Sequence, residues 1–188
     1  MLVTTMGPGS QLKPGAPLRP APGSWRVDPA QSQARFALRV AGRPVQGRLS
    51  LTGRVLIAEP IEDSTAWLAA RASQVSTGYP VLDRQLAGPG VLDAGSFPEI
   101  SFRSELLAWV PAGWRAVGRL QVKGAEHELA CRLDVDRDGD LVNDSSHFRI
   151  TSNWVLDSRW ITGQWIPGLS RSITMTCSFL LRPAQVPG

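Results

Sequence analysis

Residues 114–124 read WRAVGRLQVKG. Trp114, Ala116, Gly118, Leu120 and Val122 take one side of an extended chain, and Arg115, Arg119, Gln121 and Lys123 take the other. Successive side chains of a strand point to opposite faces, so this period of 2 predicts a strand with one buried and one solvated face. Upstream, ISFRSELLAWV (100–110) places Ile100, Phe102, Ser104 and Leu106 together, and Pro111–Gly113 supplies a hairpin turn. Downstream, ELACRLDVD (128–136) sets Leu129, Cys131, Leu133 and Val135 against Glu128, Arg132 and Asp134, before a turn at Arg137–Asp140.

The alternation runs outward in both directions. SQARFALRVA (32–41) aligns Ala34, Phe36, Leu38 and Val40; VQGRLSLTGRV (45–55) aligns Val45, Gly47, Leu49, Leu51, Gly53 and Val55. TAWLAARA (65–72) aligns Ala66, Leu68 and Ala70, and HFRITSNWV (147–155) aligns Phe148, Ile150, Ser152 and Trp154. SITMTCSFLL (172–181) aligns Ile173, Met175, Cys177, Phe179 and Leu181. The reading is about eight antiparallel strands, all β, and closure into a barrel removes the edges such a sheet would expose. A barrel of that size is just wide enough to be filled by side chains or to hold one slim ligand. Small inward residues (Gly47, Gly53, Ala66, Ala70, Ala116, Gly118) are expected to leave open volume. A closed core of complementary large and small residues stands as the alternative.

One interval breaks the pattern. STGYPVLDRQLAGPGVLDAGSFPEISF (76–102) has no clean period but carries Val81, Leu82, Leu86, Val91, Leu92 and Phe97. With those anchors a long irregular segment is expected to be ordered, and here to form a short helical or irregular cap over one barrel end, after the third strand. Asp83 inside it is read as a capping or Arg-paired carboxylate, with a ligand-headgroup contact as the sharper alternative.

The 188 residues suit one domain with a sizeable core. Residues 1–24 form a Pro/Gly-rich tail expected to be disordered or polyproline-like, residues 25–183 the barrel, and 184–188 a C-terminal tail. The net charge of +4 is spread as single Arg residues along strands, which argues against nucleic acid as a partner. No apolar run is long enough to span a membrane and no secretory h-region is present, so a cytoplasmic protein without stable membrane insertion is expected. Cys131 and Cys177 fall on inward faces of different strands, as two buried thiols or, alternatively, a disulfide. His127 and His147 lack partners at metal-ligand spacing, and neither a nucleophile elbow nor a phosphate loop occurs, so no metal, no cofactor and no catalytic constellation is expected.

WRVDPAQSQARFALRV, through Trp25, Asp28, Pro29, Ser32 and Phe36, resembles the opening of the YceI-like, polyisoprenoid-binding proteins. The cap segment resembles that family's central signature through Ser76, Thr77, Gly78, Asp83, Leu86, Leu92, Phe97, Pro98, Ile100, Phe102 and Ser104. Gly118, Leu120 and Gly124 match the hairpin that follows, whereas Gln31, Leu82 and Gln85 depart from the family's usual residues. The resemblance implies an eight-stranded antiparallel lipocalin-like barrel whose lumen binds a long isoprenoid lipid, a polyprenyl chain or an isoprenoid quinone. It also implies a homodimer in many members, and no catalytic residue. On that basis Phe36, Leu38, Leu49, Leu68, Phe102, Leu120, Leu133, Phe148, Ile150, Met175 and Phe179 are expected to line the lumen, with Leu82, Leu86 and Leu92 near its mouth. An enzyme acting on a hydrophobic substrate and a filled-core interaction module are the competing functions.

Overall fold

The structure is a computed structural model that describes residues 20–110, 113–137 and 147–184. The expected tail before Pro20, parts of the turns at Pro111–Gly113 and Arg137–Asp140, and the end of the C-terminal tail lie outside the described residues.

Ten strand segments follow in order: β1 (Gly23–Val27), β2 (Gln33–Val40), β3 (Arg43–Ser50), β4 (Thr52–Ile57), β5 (Thr65–Arg71), β6 (Glu99–Val110), β7 (Gly113–Val122), β8 (Ala125–Arg137), β9 (Phe148–Asp157) and β10 (Ser172–Pro183). Two short helices, α1 (Pro80–Ala87) and α2 (Arg159–Thr162), lie between them. All pairings are antiparallel. Neighbours run β1-β4-β5-β6-β7-β8-β9-β10, and β1 pairs back onto β10, which closes a ring of eight. The remaining two segments are halves of bent strands. β2 continues β1 along β10, with Val27 opposite Leu181 and Gln33 opposite Ser178. β3 and β4 are separated only by Leu51. The barrel is therefore eight-stranded, with its first two strands each broken once.

The first break is written into Asp28-Pro29. Proline donates no N–H to a ladder, and the Asp28 carboxylate accepts from the Ala30 N–H at 3.0 Å to cap a single 3-10 turn. The strand is then sewn back to β10: the Asp28 N–H donates to the Leu180 carbonyl, and the Leu180 N–H donates to Ser32 Oγ at 3.0 Å. Arg182 pairs with Asp28 at 2.8 Å.

Two expectations need correction. Glu105 is an extra residue in β6: the register with β7 shifts between Ser104 and Leu106. A bulge moves every later side chain to the other face, so Leu106 is exposed and Leu107, not Leu106, is buried. The inward glycines also leave no void. A Cβ at Gly47 would sit 2.2 Å from the Phe36 ring, and one at Gly118 would sit 2.1 Å from the Arg103 carbonyl oxygen. Gly47 makes room for a ring, and Gly118 lets two strands approach.

Candidate functional site

The barrel encloses a cavity of about 330 Å³, at the lower end of the range of roughly 300–1,000 Å³ usual for ligand pockets. The filled-core alternative would have left no such space. β5, β6 and β7 set Leu68, Phe102 and Leu120 side by side across the wall. Phe36, Leu38 and Leu49 from β2 and β3, Leu133 from β8, and Met175 and Phe179 from β10 complete the apolar lining among the expected residues.

Phe148 and Ile150 are the two expected lumen residues that do not line the cavity. They are buried in the closed floor, where Phe148 meets Trp25 edge-on with centroids 5.3 Å apart. Their inward parity is as expected, but they lie toward the closed end, Phe148 opposite Leu181 and Ile150 opposite Phe179.

The other end is the mouth. The cap segment is ordered as expected: Pro80 starts α1, consistent with the preference of proline for a first helical turn. Asp83 acts as a local tie, its Oδ1 accepting from the Thr77 N–H at 2.6 Å and from the Thr77 hydroxyl at 2.5 Å. It caps no helix end, and this tie to Thr77, two residues before the Tyr79 N-cap, uses its carboxylate locally. α1 and the turn after it point Leu82, Gln85, Leu86, Val91 and Leu92 into the cavity. The facing side of the mouth was missed in the sequence: Ile161 and Thr162 of α2, and Ile166, Pro167 and Leu169 after it, also line the cavity. Trp154 of β9 also lines the cavity.

No Asp, Glu, Lys, Arg or His occurs among the described lining residues. The titratable groups on the wall are the thiols of Cys131 and Cys177, both free. Burial in the apolar wall pushes the Cys177 thiol up to about 12, and burial raises Cys131 as well. Thiols held protonated are poor nucleophiles. The hydroxyls of Ser152 and Ser158 are buried on the same wall; neither has a hydrogen-bonded oxygen or nitrogen partner, and Ser152 has the Cys131 thiol beside it. The site can bury an apolar chain and offer hydroxyl donors to a neutral oxygen.

The wall has a seam. β8 pairs with β7 from Ala125 onward, but with β9 only from Asp134↔Thr151 to Arg137↔Phe148. β9 is laddered to β10 along its whole length. Over the mouth half, Ala125–Leu133 and Ser152–Asp157 face each other without paired backbone. The gap is bridged by the His127 ring stacked on Trp160 of α2, centroids 4.4 Å apart and 7° from parallel.

No helix among the described residues is long and apolar enough to cross a membrane. A comparison with curated proteins finds no match. Among solved structures, the chain is similar to BcnA of Burkholderia cenocepacia, with TM-score 0.71 and 16% identity over 82% of this chain and 98% of that one. It is similar to a polyisoprenoid binding domain from Saccharophagus degradans implicated in plant cell wall breakdown, with TM-score 0.62 and 12% identity over 85% and 98%. It is also similar to the Campylobacter jejuni YCEI protein, with TM-score 0.62 and 14% identity over 75% and 86%. At these identities the likeness shows the fold. The family model of the YceI-like domain matches residues 25–166, from the buried Trp25 of the floor to the Ile166 of the mouth: the chain belongs to the YceI-like domain family.

Proposed function

We propose that this chain binds and carries a long-chain isoprenoid lipid with a neutral head, an isoprenoid quinone or a polyprenyl alcohol, in the barrel lumen. The observation that carries the reading is the mouth-opening cavity of about 330 Å³ whose lining, among the described residues, holds no charged side chain. The Saccharophagus degradans domain, described as polyisoprenoid binding, supports the class of ligand. Burying a branched hydrocarbon contributes about 0.8 kcal/mol per carbon, so each five-carbon unit is worth up to about 4 kcal/mol before its ordering is counted. A diphosphate head inside this wall would find no cation, and burying an unpaired charge is costly. A quinone or alcohol oxygen needs only a donor, and Ser152 and Ser158 supply two. Binding rather than catalysis is the reading because the wall brings together hydrocarbon, hydroxyls and protonated thiols.

Organic extraction of the purified protein, with mass spectrometry, tests the reading, followed by titration with a quinone bearing an isoprenoid tail. Co-purifying isoprenoid and saturable uptake are expected; a protein that emerges empty and takes up none refutes it. Leu120→Trp puts an indole into the cavity from the β7 end of the Leu68–Phe102–Leu120 row. Displacing one isoprene unit should weaken the Kd by one to three orders of magnitude, from the roughly 4 kcal/mol ceiling at about 1.4 kcal/mol per decade. An unchanged Kd in a folded variant refutes the tunnel.

The same proposal takes in a homodimer and a cytoplasmic site of action. Leu56, Trp67 and Leu106 are exposed on the outer face of β4–β6, the surface we assign to a second copy. Free Cys131 and Cys177 suit a reducing compartment. Sedimentation as a monomer, or recovery in an oxidising compartment, would remove those parts.

A further inference from the structure

The mouth has a lip that the lumen does not explain. The β2–β3 tip is tied to the loop after α2: Val40 bridges Leu169, the Ala41 N–H donates to the Gly168 carbonyl at 2.6 Å, and the Ser170 N–H donates to the Arg39 carbonyl at 2.9 Å. The Arg39 N–H donates in return to Ser170 Oγ at 3.0 Å. These three hydrogen bonds join two loops into one rigid edge. Its inner side lines the cavity through Ile166, Pro167 and Leu169. Val40, partly exposed, lines the cavity at the rim as well, and the outer side shows Trp165, half exposed. At the same end of the barrel the start of α1 exposes Tyr79 and Val81, at 70% and 63% the most exposed large apolar residues described.

Charge follows the same edge. Between Leu38 and Val45 and between Asp157 and Arg171 stand Arg39, Arg43, Arg159 and Arg171 against Asp157 alone, so 4 − 1 leaves +3 of the chain's net +4. Arg159 is already committed, gripping both Asp157 oxygens and holding that carboxyl down at about 2. Arg39, Arg43 and Arg171 are all exposed. Amphipathic aromatics flanked by cations suit the headgroup level of an anionic leaflet.

We propose that this lip docks the open mouth of the barrel onto an anionic lipid bilayer. Trp165 enters the headgroup layer, and Arg39, Arg43 and Arg171 meet its negative charge. The geometry gives the contact a purpose. An apolar ligand leaving a bilayer avoids water only if the cavity mouth abuts the membrane, and Ile166, Pro167 and Leu169 are shared by lip and lumen. The docking is independent of which ligand the lumen holds.

The test is co-sedimentation of the full chain with vesicles of phosphatidylcholine, with and without one-third phosphatidylglycerol. Binding to the anionic vesicles, weakened by salt, is expected, with little to the neutral ones. Each cation near an anionic surface is worth a factor of about five, so Arg43→Gln with Arg171→Gln should weaken binding about 25-fold. Trp165→Ser should weaken it about tenfold. Arg115→Gln with Arg132→Gln removes equal charge from β7 and β8 toward the closed end and should change binding less than twofold. Leu120→Trp, which blocks the lumen, should leave vesicle binding intact, and so separates failure of docking from failure of ligand uptake. Absence of binding to anionic vesicles overturns the proposal. So does equal loss in the lip and control variants, or binding indifferent to lipid charge, which would point the lip at a protein partner instead.

Discussion

The most direct probe of the lumen is one of its own atoms. Cys177 is on the β10 wall, and burial moves its thiol from 9.0 up to about 12. In the unfolded chain the thiol is solvated and ionises near its ordinary value. Between those two values the folded state holds a proton that the unfolded state has released. Stability from this group is therefore complete below pH 9 and is lost as pH rises toward 12. The interval spans about 3 pH units, or about 4 kcal/mol in full, of which about 2 kcal/mol is lost by pH 10.5. Urea unfolding of wild type and Cys177→Ala at pH 8, 9, 10 and 10.5 reads it, because every other alkaline titration is common to both. At pH 8 the alanine variant should be the less stable by about 1 kcal/mol, for the lost sulfur contact. By pH 10.5 the order should reverse. Alkylation gives an independent reading: at pH 8 the thiolate fraction is about a thousandfold below that of a solvated thiol, and iodoacetamide labelling should slow at least as much. Parallel stability curves through pH 10.5, or labelling within tenfold of a free thiol, would mean that the lumen wall is wet, and the apolar-ligand argument would fall with it.

Three further outcomes follow from named contacts. Ser32→Ala removes the acceptor of the Leu180 N–H and should cost about 1–3 kcal/mol, the penalty of an unpaired buried donor; a smaller loss in chemical denaturation would mean that water replaces the hydroxyl. Gly118→Ala puts a methyl group 2.1 Å from the Arg103 carbonyl oxygen and should destabilise by about 3 kcal/mol or leave the protein insoluble, whereas an unperturbed Tm would disprove the close β6–β7 approach. Asp83→Ala frees the Thr77 N–H and hydroxyl; amide exchange in α1 should rise about fivefold to tenfold, for about 1 kcal/mol of lost hydrogen bonding, with β6–β8 unchanged.

Most of the wall was legible because alternation is a direct projection of strand geometry. Parity assigns a face, and it placed Leu68, Phe102, Leu120, Leu133 and Met175 on the lumen side. It says nothing of height along the barrel axis, which is why Phe148 and Ile150 were expected in the lumen although they lie in the core toward the closed end. The bulge at Glu105 was hidden because Leu106 and Leu107 are the same residue type, and a one-residue slip there leaves the pattern intact. Glycine was ambiguous in kind: the same small residue can mark a void, a ring's resting place as at Gly47, or two backbones in contact as at Gly118. The lip and the Ile161–Leu169 side of the mouth were missed because they are loops and the end of a four-residue helix, too short to show a period. The one available signal was the cluster of Trp160, Trp165 and Ile166 outside any strand.

The seam between β8 and β9 bears on what girth of ligand the protein accepts. In a fully laced barrel the circumference is set by strand number and stagger, and widening it means breaking backbone hydrogen bonds in series. Here the floor is hooped by a complete ring, while the β8–β9 side of the mouth is held by a clasp, the His127–Trp160 stack. Opening a stacked pair costs about 1 kcal/mol, less than the burial of two extra carbons returns. The calibre at the floor is fixed and the calibre at the entrance is elastic, so the tail should be selected by its slender end while ring heads of different breadth are admitted above it.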